Sequence, residues 1–496
     1  MTAAAETSTA AVTVGPKAWL FGPASDLLFG CGLVYPLMVV LVASASPARE
    51  TVAGWVPLLI LVTSIPHYGA TLLRVYGTAE ARERYSRYGL VFTLGVGAAF
   101  ALSLATPDVG RWFITLYLTW SPWHYTAQNF GLSLMFLQRG GIGADPPLRR
   151  LIKLSYVLSY VVIFAGIHGA TYASGSDPLY SGQAGYAFAS LELPDALIRV
   201  VLAAATLGYL GVTAWTIARL RRRASWRALA PVLALLASQL AWFIVPVLAG
   251  RTFPGVYGQK GLIALAFVWV AITHAVQYLW ISLYYARASG FAAATRSGTL
   301  GYMAAATLVG AALWVVPAWL FAPGALGVLA YDSGLALLVA SAVNLHHFLL
   351  DGVIWKLRDA RVGAALVSQP APAPAGAFGL RTSASWPLRA GLALVGIVAV
   401  AFWTIGTVER EVGYRQALAR EDVDRLELAA RRLAFVGRDG PEIHEDLGRV
   451  RQRRGETEQA LAEYRKSQAL APHPDMWQGM AVLYARAWDA IRARLD

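Results

Sequence analysis

One cysteine, Cys31, occurs in 496 residues, and it lies inside the first long apolar run. A disulfide framework is thereby excluded, as is a thiolate metal cluster within one chain. Charge is scarce too: 14% of residues are Asp, Glu, Lys or Arg, against roughly a quarter in average globular usage. A soluble core of this size does not need so little charge. No small-residue cleavage pattern follows the first apolar run, so no removable leader is expected, and the polar, Ala/Thr-rich residues 1–17 are expected to be disordered.

What the chain has instead is apolar sequence, 57% hydrophobic with 17 Trp. It is divided into runs near the ~20 residues that cross a bilayer. About eleven candidate spans follow one another: 26–44, 52–73, 88–106, 110–136, 150–173, 198–219, 227–249, 259–285, 300–322, 325–355 and 387–405. The expected fold is all-α, a polytopic transmembrane helix bundle over 18–408. The net charge of +13 is not a nucleic-acid footprint, because the arginines sit in short connections. Arg74, Arg82, Arg84 and Arg87 follow the second run, Arg139, Arg149 and Arg150 the fourth, and Lys356, Arg358 and Arg361 the tenth. Connections after odd runs are poor in Lys and Arg. By the positive-inside rule the N-terminus is cytoplasmic, every even run passes from outside to inside, and the C-terminus lies outside. A bacterial inner (cytoplasmic) membrane suits this pattern, with the Pro/Ala stretch "SQPAPAPAGAFG" (368–379) as an inner linker.

From about Glu409 the sequence becomes charged and Ala/Leu/Arg-rich with helical periodicity. Within 446–474, Leu447-Gly448, Gly455, Ala460, Tyr464, Ala469 and Pro472 fall where a tetratricopeptide repeat places small, aromatic and breaker residues. The segment 409–496 is expected to form a small extracytoplasmic helical domain. With one good unit where about three are usual, it either binds a protein partner or merely packs.

The histidines carry the strongest chemical signal. His67, His124, His274, His346 and His347 all lie in even runs, which run the same way. His67 precedes Arg74 by 7 residues, His124 precedes Arg139 by 15, His274 precedes Arg287 by 13 and His347 precedes Lys356 by 9. At ~1.5 Å per residue they share a layer roughly 10–23 Å from the inner charge boundary. His124 and Gln128 are four apart, as are His347 and Asp351, and His274 has Gln277 and Tyr278 at three and four, so each pair shares a helix face. Ligating imidazoles usually donate their second N–H to a carboxylate, carbonyl or water, which Gln128 or Asp351 can provide. Asp351 is the candidate catalytic carboxylate, as ligand or as orienter. Pro66 and Pro122 are expected to loosen their helices beside His67 and His124. Asp26 falls in the same half of the membrane, as a further ligand, a base behind the ligands or an interface residue. A buried histidine can also simply hydrogen-bond across helices, but five in one layer point to metal or haem. Ligation without thiolate suits iron, copper or zinc, and a haem b between two axial histidines is the other form. Trp120, Trp123, Tyr125, Tyr278, Trp280, Phe348 and Trp355 crowd the same layer, as packing or as the walls of a pocket for a hydrophobic molecule.

On these scattered histidines the chain resembles the integral-membrane oxygenases and desaturases that hold iron through histidines. The His-x-x-x-His and His-x-x-His-His boxes of fatty-acid desaturases are absent, and His346-His347 is the one adjacent pair. It is similar to the bacterial carotene-cleaving membrane oxygenases in spreading single histidines over several spans, and no residue role is carried over from them. The "PH", "H-x-x-x-Q" and "HH-x-x-x-D" elements also resemble those of large bacterial membrane proteins, a resemblance that implies no activity. What the first resemblance implies is an oxygen-dependent oxidoreductase holding iron and acting on a lipid-like substrate. A transporter or haem-carrying subunit with a partner-binding repeat domain is the alternative.

Overall fold

The computed structural model describes residues 18–44, 49–169, 186–252, 262–367, 385–471, 480, 481 and 485. The tail 1–17, the linker 368–379, most of loop 174–195, Pro472 and His473 lie outside the described residues. Among the described residues every regular element is a helix. Apolar runs without bulk water must satisfy their backbone groups internally, and a helix does so within one segment. Eight helices are long and apolar enough to cross a membrane: Val56–Tyr76, Ala79–Ala105, Pro146–His168, Asp195–Arg221, Trp226–Thr252, Arg296–Leu320, Tyr331–Ile354 and Trp386–Ala419. Four of these eight helices start at a side-chain cap of the expected kind. Thr78, Asp145, Ser225 and Thr295 accept from Ala81, Leu148, Ala228 and Gly298 backbone N–H groups.

The runs read as 110–136 and 259–285 lie in two further long helices, Pro107–Arg139 and Leu262–Ala288. The run read as 26–44 is not one helix. It opens with a π-helical turn, Asp26–Gly30, breaks at Gly32 and resumes as Val34–Ser44. Gly32 has φ +77°, and a Cβ there would press into the Trp242 ring. Position 32 therefore needs glycine twice over. Asp26 serves this turn: its carboxylate accepts from the Leu20 and Phe21 N–H groups and from the Trp280 indole, 3.2 Å away. That is an interface role, and Asp26 belongs to neither group of clustered ligand atoms.

Burial ranks the helices. In Tyr331–Ile354, 61% of the apolar window is buried, against 17% in Ala79–Ala105. The first is central; the second turns Leu90, Val91, Leu94 and Leu102 outward, as a lipid-facing helix does. Ser64–Tyr76 packs on Arg296–Leu320 through glycines. A Cβ on Gly69 would overlap the Ala306 carbonyl, and one on Gly310 the Ile65 carbonyl. Small residues let the two backbones touch, as in membrane helix pairs generally.

Trp386–Val408 continues through a π-turn, Glu409–Tyr414, into Arg415–Ala419. Beyond it lie three amphipathic helices, Val423–Phe435, Pro441–Arg453 and Thr457–Leu470. Their core holds Leu426, Leu433, Ile443, Leu447 and Val450. Gly448 fits against the Tyr464 ring and Gly455 turns the chain at φ +79° between Pro441–Arg453 and Thr457–Leu470.

Candidate metal centre

Four helices contribute to one buried cluster. His67 comes from Ser64–Tyr76, His124 from Pro107–Arg139, His274 from Leu262–Ala288, and His347 with Asp351 from Ala336–Ile354. All five are at most 9% exposed. One ligand atom from each of His67, His274 and His347 lies within 4.8 Å of the others, and the same holds for His124, His347 and Asp351. His347 belongs to both trios and is the centre of the arrangement. Ring centroids are 4.6 Å apart for His67–His347, 5.1 Å for His124–His347, 5.0 Å for His124–His274 and 5.6 Å for His67–His274. Bonds of about 2.0–2.1 Å put opposite ligand atoms about 4 Å apart, so small side-chain shifts would close the cluster on one ion.

Hydrogen bonds on the far side of the rings set which nitrogen faces inward. His67 Nδ1 lies 2.5 Å from the Ser64 carbonyl oxygen, to which it can only donate. Its Nε2 lone pair is then free. Pro66 fits this local geometry: it offers no N–H to the preceding turn, and the helix is broken at Thr63, whose hydroxyl bonds back to Leu59 O. His347 Nδ1 is 2.9 Å from Thr71 Oγ1, Thr71 Oγ1 is 2.6 Å from the Tyr278 hydroxyl, and that hydroxyl is 2.9 Å from Asp351 Oδ1. The Trp355 indole donates to the same Tyr278 oxygen at 3.1 Å. With Asp351 ionised, as a ligating carboxylate must be, one proton assignment satisfies every pair. His347 Nδ1–H donates to Thr71, Thr71 to Tyr278, and Tyr278 to the carboxylate. His347 Nε2 is thereby a bare lone pair, 3.4 Å from Asp351 Oδ2, which also lies 3.6 Å from His124 Nε2.

Buried nitrogens without hydrogen-bond partners point the same way. Within the cluster they are His124 Nε2, His347 Nε2 and both nitrogens of His274. Leaving a buried polar atom unsatisfied costs about 1–3 kcal/mol. Coordination of an ion would occupy His124 Nε2, His347 Nε2 and one of the two His274 nitrogens. Neutral imidazoles with one carboxylate form a nitrogen-rich, thiolate-free donor set suited to iron, copper or zinc. A haem does not fit, because the four imidazoles and Tyr278 already touch ring to ring and leave no porphyrin-wide slot between two axial histidines.

The sequence-predicted residues divide as follows. His67, His124, His274, His347 and Asp351 converge. His346 does not: on the helix it faces about 100° away from its neighbour, and its Nε2 meets Thr93 Oγ1 at 2.9 Å. Gln128 does not orient His124; its amide donates to Gln277, whose own amide donates to Gly30 O and Asn129 Oδ1. Pro122 leaves its helix unbroken. Of the aromatic residues, Tyr125 and Phe348 lie against His274 and His124, whereas Trp280 packs on Phe136 away from the cluster. Sequence reasoning missed Thr71 and Tyr68. Thr71 is four residues after His67, a spacing applied to the other histidines and not to this one. Tyr68 donates to Asn344 Oδ1 at 2.7 Å.

Two cavities flank the cluster. The first, of about 390 Å³, is lined by Ser64, Ser121, Ala271 and Asn344. Each of these stands three residues before a ligand: His67, His124, His274 and His347 respectively. The second, of about 340 Å³, is lined by His124 and Asp351 themselves and by Gln128, Tyr278 and Trp355. The cluster thus forms the partition between a space on the N-terminal side of its helices and one on the C-terminal side.

Fold and site together define a helical protein with helices long and apolar enough to cross a membrane and a buried histidine–carboxylate cluster. Comparison with family models, with curated proteins and with solved structures finds no match.

Proposed function

We propose that the chain is an integral membrane metalloprotein, an oxygen-dependent oxidoreductase acting on a hydrophobic substrate at the His67–His124–His274–His347–Asp351 centre, with iron as the metal. The observation that carries this reading is the convergence of five buried ligand groups on a wall between two cavities. A redox metal held there supplies activation of oxygen. The chain's own groups do the rest. Ser64 O and Thr71 fix the tautomers of His67 and His347. Asp351 offsets part of the ion's charge and, through Tyr278 and Thr71, ends a hydrogen-bonded chain that can pass a proton. The aromatic and aliphatic walls exclude water from the reacting side.

The surrounding assignments are proposals of the same kind. They comprise eleven spans in a bacterial inner membrane, a cytoplasmic N-terminus, and an extracytoplasmic tetratricopeptide-like segment over 409–496 that recruits a protein partner. In that orientation the 390 Å³ cavity opens outward and the 340 Å³ cavity inward. A second reading, passage of the metal ion itself, is favoured by one observation: the cluster has a cavity on each side. Metal analysis with an absorption spectrum on detergent-purified protein is the test. About one equivalent of bound iron, lost in His347→Ala, supports the centre. Protein that stays metal-free after reconstitution sinks it. A bound zinc that exchanges freely from both faces of a proteoliposome supports passage.

A further inference from the structure

The cavity on the N-terminal side of the ligands has a composition that selects its occupant. Its floor is the turn preceding the four histidines, and Ala336, Leu337, Ala340 and Asn344 form one wall. Those residues share one helix face over eight residues, about 12 Å of depth. The mouth is at Tyr331 and Asp332. A volume of 390 Å³ holds on the order of a dozen groups of water size at ~30 Å³ each. Among its lining residues no Lys, Arg or His occurs, and the single charged one is Asp332. Two cations stand near the mouth and neither lines the space: Arg410, engaged by Asp332 and Glu442, and Arg438, stacked on the Tyr331 and Trp403 rings. An anionic head drawn down into the space toward the histidines would be desolvated beside no counter-charge among the lining residues. A neutral chain meets no such cost.

The polar groups of the cavity are neutral, and one of them is unsatisfied. Trp314 lines the space and carries a buried indole N–H without a hydrogen-bond partner. Its ring lies 5.5 Å from that of Tyr68, which in turn lies 5.2 Å from His347. A donor so placed suits an acceptor oxygen close to the cluster.

We infer that this cavity is the binding site for an uncharged, mostly hydrocarbon molecule of about a dozen to fifteen carbons carrying one neutral oxygen function, an alcohol or a carbonyl, and that it rejects the phosphorylated or carboxylate forms of the same chain. The inference rests on the reading of the cluster as the reaction centre and names the substrate class for it. Its mouth lies under the C-terminal region. Arg438 stacks over Tyr331 at 4.9 Å, and the Trp319 indole donates to Phe435 O at 3.2 Å. The occupant therefore enters laterally from the lipid or after that region shifts.

Native mass spectrometry of the full-length protein in detergent tests this, because metal and ligand add separate masses. Farnesol and farnesyl monophosphate are the probes. Farnesol is expected to bind at least tenfold more tightly than the phosphate. Ala340→Trp, which fills the cavity, is expected to lose farnesol and keep its metal; Ala336→Phe is the second variant if the first does not fold. Equal or tighter binding of the phosphate overturns the inference, as does undiminished farnesol binding in a folded cavity-filled variant. Farnesol binding to a protein that never takes up metal overturns the reaction-centre reading and leaves the cavity assignment standing.

Discussion

Replacing Thr71 by Val separates a metal centre from a set of packed histidines. The substitution keeps the branched shape and deletes one hydroxyl that is 2.9 Å from His347 Nδ1 and 2.6 Å from the Tyr278 oxygen. Tyr278 keeps its bond to Asp351 and its donor from Trp355, so its loss is the smaller one. His347 is left with a buried Nδ1–H and no acceptor, a cost of about 1–3 kcal/mol. The ring escapes that cost only by changing tautomer or rotating, and either move takes the Nε2 lone pair off the ion. Removing the group that orients a ligating histidine typically lowers metal affinity about 10–100-fold, which is about 1.4–2.8 kcal/mol at ~1.4 kcal/mol per tenfold. The two routes agree. Thr71→Val should raise the metal Kd by about 10–100-fold in a chelator-competition titration on detergent-solubilised protein, and Thr71→Ser should stay within a few-fold of wild type. A Thr71→Val protein that folds and binds metal within twofold of wild type would refute the proposed proton assignment and with it the ligand role of His347 Nε2.

Other outcomes follow from the same geometry. His346→Ala should retain full metal content and lose no more than about 1 kcal/mol, the worth of its bond to Thr93; loss of metal in that variant would show that the adjacent pair acts together. Gly69→Ala should force the His67 helix off Arg296–Leu320, because its Cβ overlaps the Ala306 carbonyl. The expected result is reduced folded yield together with reduced metal content, and unchanged yield would argue against the close helix contact. In the C-terminal helices, His444 lies between Glu463 (2.6 Å) and Asp439 (3.0 Å). Burial there opposes its charge, but the hydrogen bonds it donates to the two carboxylates outweigh that and push its pKa up to about 9 from 6.5. The folded value is raised, so this stabilisation is complete below about pH 6.5 and is lost as pH rises through about 9, on the order of 3 kcal/mol in all. Pulse proteolysis of the full-length protein between pH 6 and 10 checks it: His444→Gln should be cleaved faster than wild type at low pH, and the difference should vanish above pH 9.

Composition and periodicity alone determined a great deal. With 14% charge and successive apolar runs near twenty residues long, helices are the backbone solution that satisfies each run within itself, and eight helices among the described residues are long and apolar enough to cross a membrane. The spacing of His67, His124, His274 and His347 from the following arginines measures depth along parallel helices, and depth is a one-dimensional quantity that sequence carries. His347 and Asp351 were legible for a related reason: a four-residue spacing fixes a shared face whatever the helix packs against. Rotation about the helix axis is different. Which way His346 points depends on the neighbour that Ala336–Ile354 meets, and depth says nothing of it. The Gln128–Gln277 pair, the Thr71 bridge to His347 and the Trp280 bond to Asp26 join residues 149, 276 and 254 positions apart. Nothing local to any of them encodes the meeting. The break at Gly32 was equally hidden, since the Trp242 ring that excludes a side chain there comes from a helix far along the chain. Sequence set which groups lie at which height in the bundle; only the packing of the helices decided which of them face one another, because that choice is made by contacts between surfaces that are distant in the chain.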